Sequence, residues 1–316
     1  MTGLAERMNG WRFSHAIKAI LDTPPAPRGA ARFTALSMVR TRDVLPYLLA
    51  IKSFVRFARP ERVLVVADPT LTDGDRALIR RHVPHVEILP PEAFRHPSLP
   101  QGGTWERLAA IAALNADESI VQLDADTVTF DEPTEVVEAA SNGGTFVISS
   151  EAGVRIVDLA SASRDGVERQ AHTSHIQVAA EARLAELPEP GSLRYARGCS
   201  GFTGFGRGAL APNRLREFSA QMREFLGARW DEWGTEQVAS NLLAASTPGA
   251  FLLPHPRYCN ADSLGPATIF AHYAGYVRFR TRDYEIRARR AVQLLSGRAD
   301  NGLQDSRQMN PQWPRP

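Results

Sequence analysis

A chain of 316 residues, 43% hydrophobic and 23% charged, can bury a substantial core, and it predicts one large domain or one domain with appendages. A formal net charge of +2, with the arginines spread along the chain, supplies no overall field that demands nucleic acid, while phosphate-bearing small molecules remain open as ligands. Cys199 and Cys259 form neither a zinc-type spacing nor a disulfide framework, no apolar run reaches membrane-spanning length, and Met1 to Gly10 lacks the apolar centre of a secretory signal, so a cytoplasmic protein is expected.

Trp11 to Leu21 puts Phe13, Ile17, Ile20 and Leu21 on one side of a helix. An N-terminal helical extension over residues 1–30, packed against the domain, is expected; peripheral membrane contact is the alternative role of that face. Phe33 to Val39 is a strand, and Val44, Leu48, Ile51 and Val55 then recur at helical spacing over Asp43 to Phe57, with Pro46 in the first turn. Arg62 to Ala67 is a buried strand ended by Asp68-Pro69. Thr72 with Asp75 three residues on opens a helix to about His82, and Val86 to Leu89 is the third strand. Trp105 to Leu114 is helical, Ser119 to Leu123 is the fourth strand, Pro133 to Ala140 is a helix and Thr145 to Ser149 a strand. The alternation predicts an α/β fold: a mostly parallel sheet flanked by helices, whose ligand site lies beyond the carboxyl ends of the strands.

The second half is less regular. Arg164 to Ser192 is polar with one helical stretch, Ile176 to Leu187, bounded by Pro188 and Pro190. The glycine-rich Gly198 to Gly206 lacks the Gly-Lys-Ser/Thr ending of a phosphate loop, so a strand or turn lining a ligand is expected there. Helices over Leu215 to Leu226 and Glu236 to Ala244 follow. Apolar Phe251 to Leu253 and Thr268 to Gly275 come next, then a basic helix from Asp283 to Leu295, closed by Gly297.

Asp124-Ala125-Asp126 stands at the carboxyl end of the fourth strand. In extended chain, residues i and i+2 point the same way, so both carboxylates leave the strand on one face, where a divalent cation could link them to a phosphate. With this pair in place, the chain resembles the GT-A glycosyltransferases, most closely the glycosyltransferase family 8 type that includes bacterial lipopolysaccharide galactosyl- and glucosyltransferases, over about Phe33 to Phe279. Asp124-Ala125-Asp126 resembles the family's Asp-x-Asp, which implies Mn²⁺ (or Mg²⁺) and a sugar nucleotide. Cys199-Ser200-Gly201 resembles an Asn-Ser/Ala-Gly segment beside the donor sugar, with Cys in the place of Asn. Glu236-Gln237 with Asn241 resembles an Asp-Gln…Asn pattern, implying that Glu236 holds sugar hydroxyls and Gln237 lies near the anomeric carbon. His272-x-x-Gly275-x-x-Arg278 resembles His-x-x-Gly-x-x-Lys, implying His272 as third metal ligand and Arg278 as the cation on the diphosphate; Phe279-Arg280 replaces the usual Pro-Trp.

The resemblance implies a single GT-A-like catalytic domain over residues 31–296, with a nucleotide-binding half (31–150) and an acceptor and donor-sugar half (151–296), before a disordered tail (297–316). It implies transfer of a hexose from a UDP-sugar to a saccharide, lipid-linked or protein acceptor, with retention of configuration, and a place in bacterial polysaccharide or lipopolysaccharide synthesis. Each piece also has a plain structural reading: solvated loop acids, a half-buried histidine, helix-start residues at 236 and 237, and a half-solvated strand at Val277 to Arg280. A non-catalytic sugar-nucleotide binder is the rival function. The haloacid-dehalogenase-type phosphatases also share the phrase Leu123-Asp124-Ala125-Asp126-Thr127, but they require a downstream lysine, and the only lysines, Lys18 and Lys52, precede the motif.

Overall fold

The computed structural model describes residues 3–275 and 277–297; the tail expected over residues 297–316 lies outside them from residue 298 on. Helix α1 (Leu4–Ala16) and a 3₁₀ segment (Ile17–Asp22) lead into β1 (Ala31–Val39), α2 (Val44–Ala58), β2 (Pro60–Ala67), α3 (Asp73–His82), β3 (Val86–Leu89), α4 (Trp105–Leu114) and β4 (Ile120–Leu123). The Thr72 hydroxyl accepts from the Asp75 amide and the Asp75 carboxylate accepts from the Thr72 amide, so the start of α3 is a reciprocal cap, as its sequence predicts. Next come β5 (Thr127–Thr129), α5 (Thr134–Ser141), β6 (Phe146–Ser149), β7 (Val157–Asp158), α6 (Leu159–Gln170), α7 (Ile176–Glu181), β8 (Arg194–Tyr195) and β9 (Gly198–Phe205). The described chain closes with α8 (Pro212–Leu226), α9 (Thr235–Ala245), β10 (Phe251–Leu252), β11 (Tyr258–Asn260), β12 (Phe270–His272) and α10 (Asp283–Leu295).

Among the described residues a seven-stranded sheet runs β10-β6-β9-β4-β1-β2-β3, parallel except for β9, which lies antiparallel between β4 and β6. The strands are apolar almost throughout because both faces are covered. In β2, Val63, Val65 and Ala67 enter one core with α2 and α10, while Leu64 and Val66 enter a second with α4 and α9. The glycine-rich segment is thus a central strand. A smaller sheet, β11-β12-β5, pairs β12 antiparallel to β5 with His272 opposite Thr127, which fixes His272 beside the residue that follows Asp126.

Three expectations need correction. The start of the polar stretch, Arg164 to Gln170, lies within a second helix, α6, and the helix expected over Ile176 to Leu187 is α7 followed by a 3₁₀ turn. The buried face of α6 is small rather than apolar: at Gly166 an added Cβ would sit 2.5 Å from the Ala182 amide nitrogen, so the close packing that stabilises this helix leaves no hydrophobic stripe in the sequence. Around Arg278 the chain turns instead of continuing as a strand, since β12 stops at His272.

Helix α1 begins seven residues earlier than its apolar pattern implies, because a second stripe, Leu4, Met8 and Trp11, faces solvent. On the inner face Phe13 stacks on Tyr284 (4.0 Å between centroids) and lies 5.7 Å from Phe279, and the Asn9 side chain donates to the Phe279 carbonyl (3.0 Å). Helix α1 therefore braces the turn that carries Arg278. No helix among the described residues is long and apolar enough to cross a membrane.

Candidate active site

The carboxyl end of β4 and the amino end of the antiparallel β9 meet the start of α9 and the end of β12, and the residues singled out by motif converge there. Asp124 leaves β4 with its amide donating to the Gly201 carbonyl (2.9 Å), which continues the β4–β9 pairing one residue past the strand. Asp124, Asp126 and His272 each offer a ligand atom, all within 4.8 Å of one another. His272 Nε2 lies 3.2 Å from Asp126 Oδ1 and 3.7 Å from Asp124 Oδ2. The other oxygen of each carboxylate is held by an arginine: Arg107 bonds Asp124 Oδ1 and Arg278 bonds Asp126 Oδ2.

This donor set fits a divalent cation. Two carboxylate oxygens and one imidazole nitrogen suit Mn²⁺ or a neighbouring metal, and the far side of the ring is already committed, since His272 Nδ1 lies 3.2 Å from Asn260 Oδ1 and 3.1 Å from Cys199 Sγ. A proton on Nδ1, donated to Asn260, leaves the Nε2 lone pair facing the carboxylates. A Cβ on residue 201 would lie 2.4 Å from His272 Cε1, so only glycine at this point of β9 lets the imidazole lie flat against the strand.

Without a cation the cluster compensates itself. Burial opposes protonation of His272, but the Cys199 sulfur and the Asp126 carboxylate outweigh it and raise its pKa well above the ordinary value. Burial likewise works against ionisation of Asp126, yet His272 and Arg278 prevail and hold it well below the usual carboxylate range.

Glu236 and Gln237 occupy the first turn of α9. Glu236 is only 2% exposed, so it is no solvated helix-start residue. Its carboxylate accepts from Thr104 Oγ1 (3.0 Å), Ser200 Oγ (3.1 Å) and Arg107 Nη2 (3.3 Å). Burial raises its pKa, against the pull of Arg107. The Gln237 side-chain oxygen accepts from the Ser200 amide (3.2 Å), and Asn241 donates to the Gly198 carbonyl (3.0 Å), so α9 is stitched to β9 along its first two turns.

Arg278 is half-buried on its turn, with Nε donating to the Tyr273 carbonyl (3.2 Å) and Nη1 3.7 Å from Asp43. Gly275 lies exposed on the same turn, with nothing within 4 Å of where a Cβ would stand.

Arg107 is absent from the motif reading, although it ties the site together. It is 2% exposed and bridges Asp124, just past the end of β4, to Glu236 on α9. The legible signal is its position in α4: the helix WERLAAIAAL is apolar after its first turn, and Arg107 shares a face with buried Ala110 and Ile111, where an arginine must have an acidic partner.

The sheet order, the antiparallel β9 and the metal-sized cluster at the strand ends give the chain a GT-A-type glycosyltransferase fold. One solved structure shares that fold: the apo structure of the bifunctional glycosyltransferase WbbM matches 86% of this chain at 14% identity with a TM-score of 0.53. The match covers 53% of WbbM, so the chain spans about half the length of that protein. Looser likenesses are to galactosyltransferase LgtC bound to donor and acceptor sugar analogs (14% identity, 87% of this chain and 99% of LgtC, TM-score 0.46) and to apo mouse xyloside xylosyltransferase 1 (12% identity, 78% and 98%, TM-score 0.45). No family model and no curated protein matches the sequence.

Proposed function

We propose that this chain is a metal-dependent glycosyltransferase that moves a hexose from a UDP-sugar to a hydroxyl of a saccharide, lipid-linked or protein acceptor, with retention at the anomeric carbon. One observation carries the reading: an Asp124–Asp126–His272 cluster of metal-binding size is joined through buried Arg107 to buried Glu236, at the ligand-binding edge of a GT-A-type sheet. In the reaction the bond from the anomeric carbon to the β-phosphate oxygen breaks, a bond from the acceptor oxygen to that carbon forms, and the acceptor hydroxyl gives up its proton. Negative charge gathers on the departing diphosphate while positive charge develops on the sugar.

Asp124, Asp126 and His272 would hold Mn²⁺ or Mg²⁺, which supplies charge neutralisation at the diphosphate when bound. Arg278 adds a fixed cation at the same end of the site. Ser200, Gly201 and Gly275 line the donor, Glu236 takes sugar hydroxyls, and Gln237 stands by the anomeric carbon. The test is a mass-spectrometric screen of UDP-sugars for metal-dependent turnover, with and without acceptors. Turnover that a chelator stops supports an enzyme; tight UDP-sugar binding with no turnover across donors and acceptors supports the binder instead.

Two variants resolve the roles within the site. Arg278→Ala is expected to weaken UDP binding by roughly ten- to a hundredfold, the size of one charge-assisted contact, with Arg278→Lys recovering part and uridine affinity unchanged. Equal losses for uridine and UDP in calorimetry would mark damage to the fold. Gln237→Ala is expected to lower turnover by at least about tenfold, roughly 1.4 kcal/mol of barrier, at nearly constant donor affinity, because its amide acts on charge that develops only in the transition state. If Gln237 serves only to hold the Ser200 amide, its loss costs about 1 kcal/mol of stability in urea unfolding and leaves turnover intact.

A further inference from the structure

We infer that Trp233 is a stacking platform for a pyranose ring of the acceptor; the proposal rests on the glycosyltransferase reading for the identity of the occupant. Trp233 is 72% exposed, three residues before Glu236. Most of this indole is apolar surface open to water. Its surroundings are polar: Asp231 and Glu232 precede it, both exposed, and Arg229 pairs with Glu232 (2.8 Å). An interface with a second protein would need a contiguous apolar patch, which a lone ring amid charges does not provide. The apolar C–H face of a pyranose matches one ring, and its equatorial hydroxyls match a polar rim.

The platform is held in place before any ligand arrives. Gln177 Nε2 donates to the carbonyl of Gly234 (3.1 Å), Arg229 donates to the Ser174 carbonyl (2.9 Å), and the His175 ring meets the indole edge-on at 6.4 Å. A rigid backbone under an exposed aromatic lowers the ordering cost of binding.

The position is also set relative to the proposed donor sugar. Trp233 Cδ1 lies 3.9 Å from where Gly103 would carry a Cβ, and the next residue, Thr104, donates to Glu236. Gly102, Gly103 and Thr104 all have left-handed backbone, with φ of 77°, 55° and 78°. For the β-branched Thr104 that conformation is costly, and it is kept where its hydroxyl fixes the buried acid. The indole thus adjoins the turn that orients Glu236, and its ring is open to solvent there.

The test is saturation-transfer NMR with lactose, maltose and methyl β-galactoside on the unmodified full chain, Trp233→Ala and Trp233→Phe. The unmodified chain is expected to transfer saturation to at least one of these pyranosides. The Ala variant should weaken that binding by about tenfold, with partial recovery in Phe, since an aromatic contact adds to the area it buries. An unchanged thermal midpoint, as befits an exposed residue, shows that the variants fold. No transfer to any of the three by the unmodified chain, or equal transfer by the Ala variant, overturns the proposal. UDP calorimetry with Mn²⁺ on the unmodified chain separates the two readings: absent UDP binding beside a Trp233-dependent pyranoside signal defeats the donor assignment alone, and the reverse result defeats Trp233 alone.

Discussion

Asp126→Asn is expected to abolish the Mn²⁺ dependence of UDP binding and to weaken binding in Mn²⁺ by at least about a hundredfold, because outer partners of a metal site alone are worth roughly ten- to a hundredfold. Asn keeps the shape and one carbonyl oxygen but removes the charge that a cation and Arg278 share. Calorimetry in Mn²⁺ and in chelator is the measurement, with uridine as the control for damage unrelated to the diphosphate. Burial aside, the Cys199 sulfur and the Asp126 carboxylate favour the protonated ring of His272 in the metal-free site, so a proton competes with a cation for the imidazole. Mn²⁺ binding to the unmodified chain should therefore release a proton, visible as a heat that scales with buffer ionisation enthalpy, and affinity should rise with pH. Equal UDP affinity in chelator and Mn²⁺, or metal dependence that survives in Asp126→Asn, would remove Asp126 from the metal site.

Arg107→Met should destabilise the chain by about 3–5 kcal/mol at neutral pH, the usual result of breaking a buried charge network by removing one member. Glu236 would be left nearly inaccessible to water with no cation, and Asp124 would lose its partner on α4. The loss has a definite pH dependence. Burial already raises the pKa of Glu236, and removing Arg107 raises it further, so the folded variant retains a proton that the unfolded chain releases. Native Glu236 then binds more protons than unfolded Glu236 above the ordinary carboxylate pKa, and stability falls as pH rises through that window. Urea unfolding at about pH 5 and pH 7.5 should show the smaller deficit at the lower pH. Adding Glu236→Gln to Arg107→Met should recover part of the loss at pH 7.5. A deficit independent of pH, with no recovery, would mean that Arg107 matters through packing of its stem.

The strand and helix alternation up to Asp126 was readable in the sequence because each buried strand is a short, mostly apolar run and the helices carry a stripe or a cap; Val63 to Ala67 of β2 and the Thr72–Asp75 box of α3 are the clearest instances. The Asp124 and Asp126 carboxylates were readable as two acids at a strand end, although they converge through a turn at Ala125 and Asp126 between β4 and β5 and not through extended chain. Beyond that point local signals thin out. Helix α6 hides because Gly166 and small residues pack it, and between the strand and the turn expected over Gly198 to Gly206 tertiary packing chose the strand, whose glycines accept close neighbours, His272 among them.

What the sequence determined by itself was the list of chemical groups: two acids at a strand end, a histidine and an arginine six residues apart, and an acid–amide pair opening a helix. Their partnerships were decided by the tertiary structure alone. Pairing of β12 with β5 sets His272 beside Asp126 across nearly 150 residues of chain, and packing of α4 against α9 and the end of β4 buries Arg107 between Asp124 and Glu236. Such contacts follow from sheet register and helix docking, which depend on the summed burial of many side chains and leave no mark at the positions they bring together.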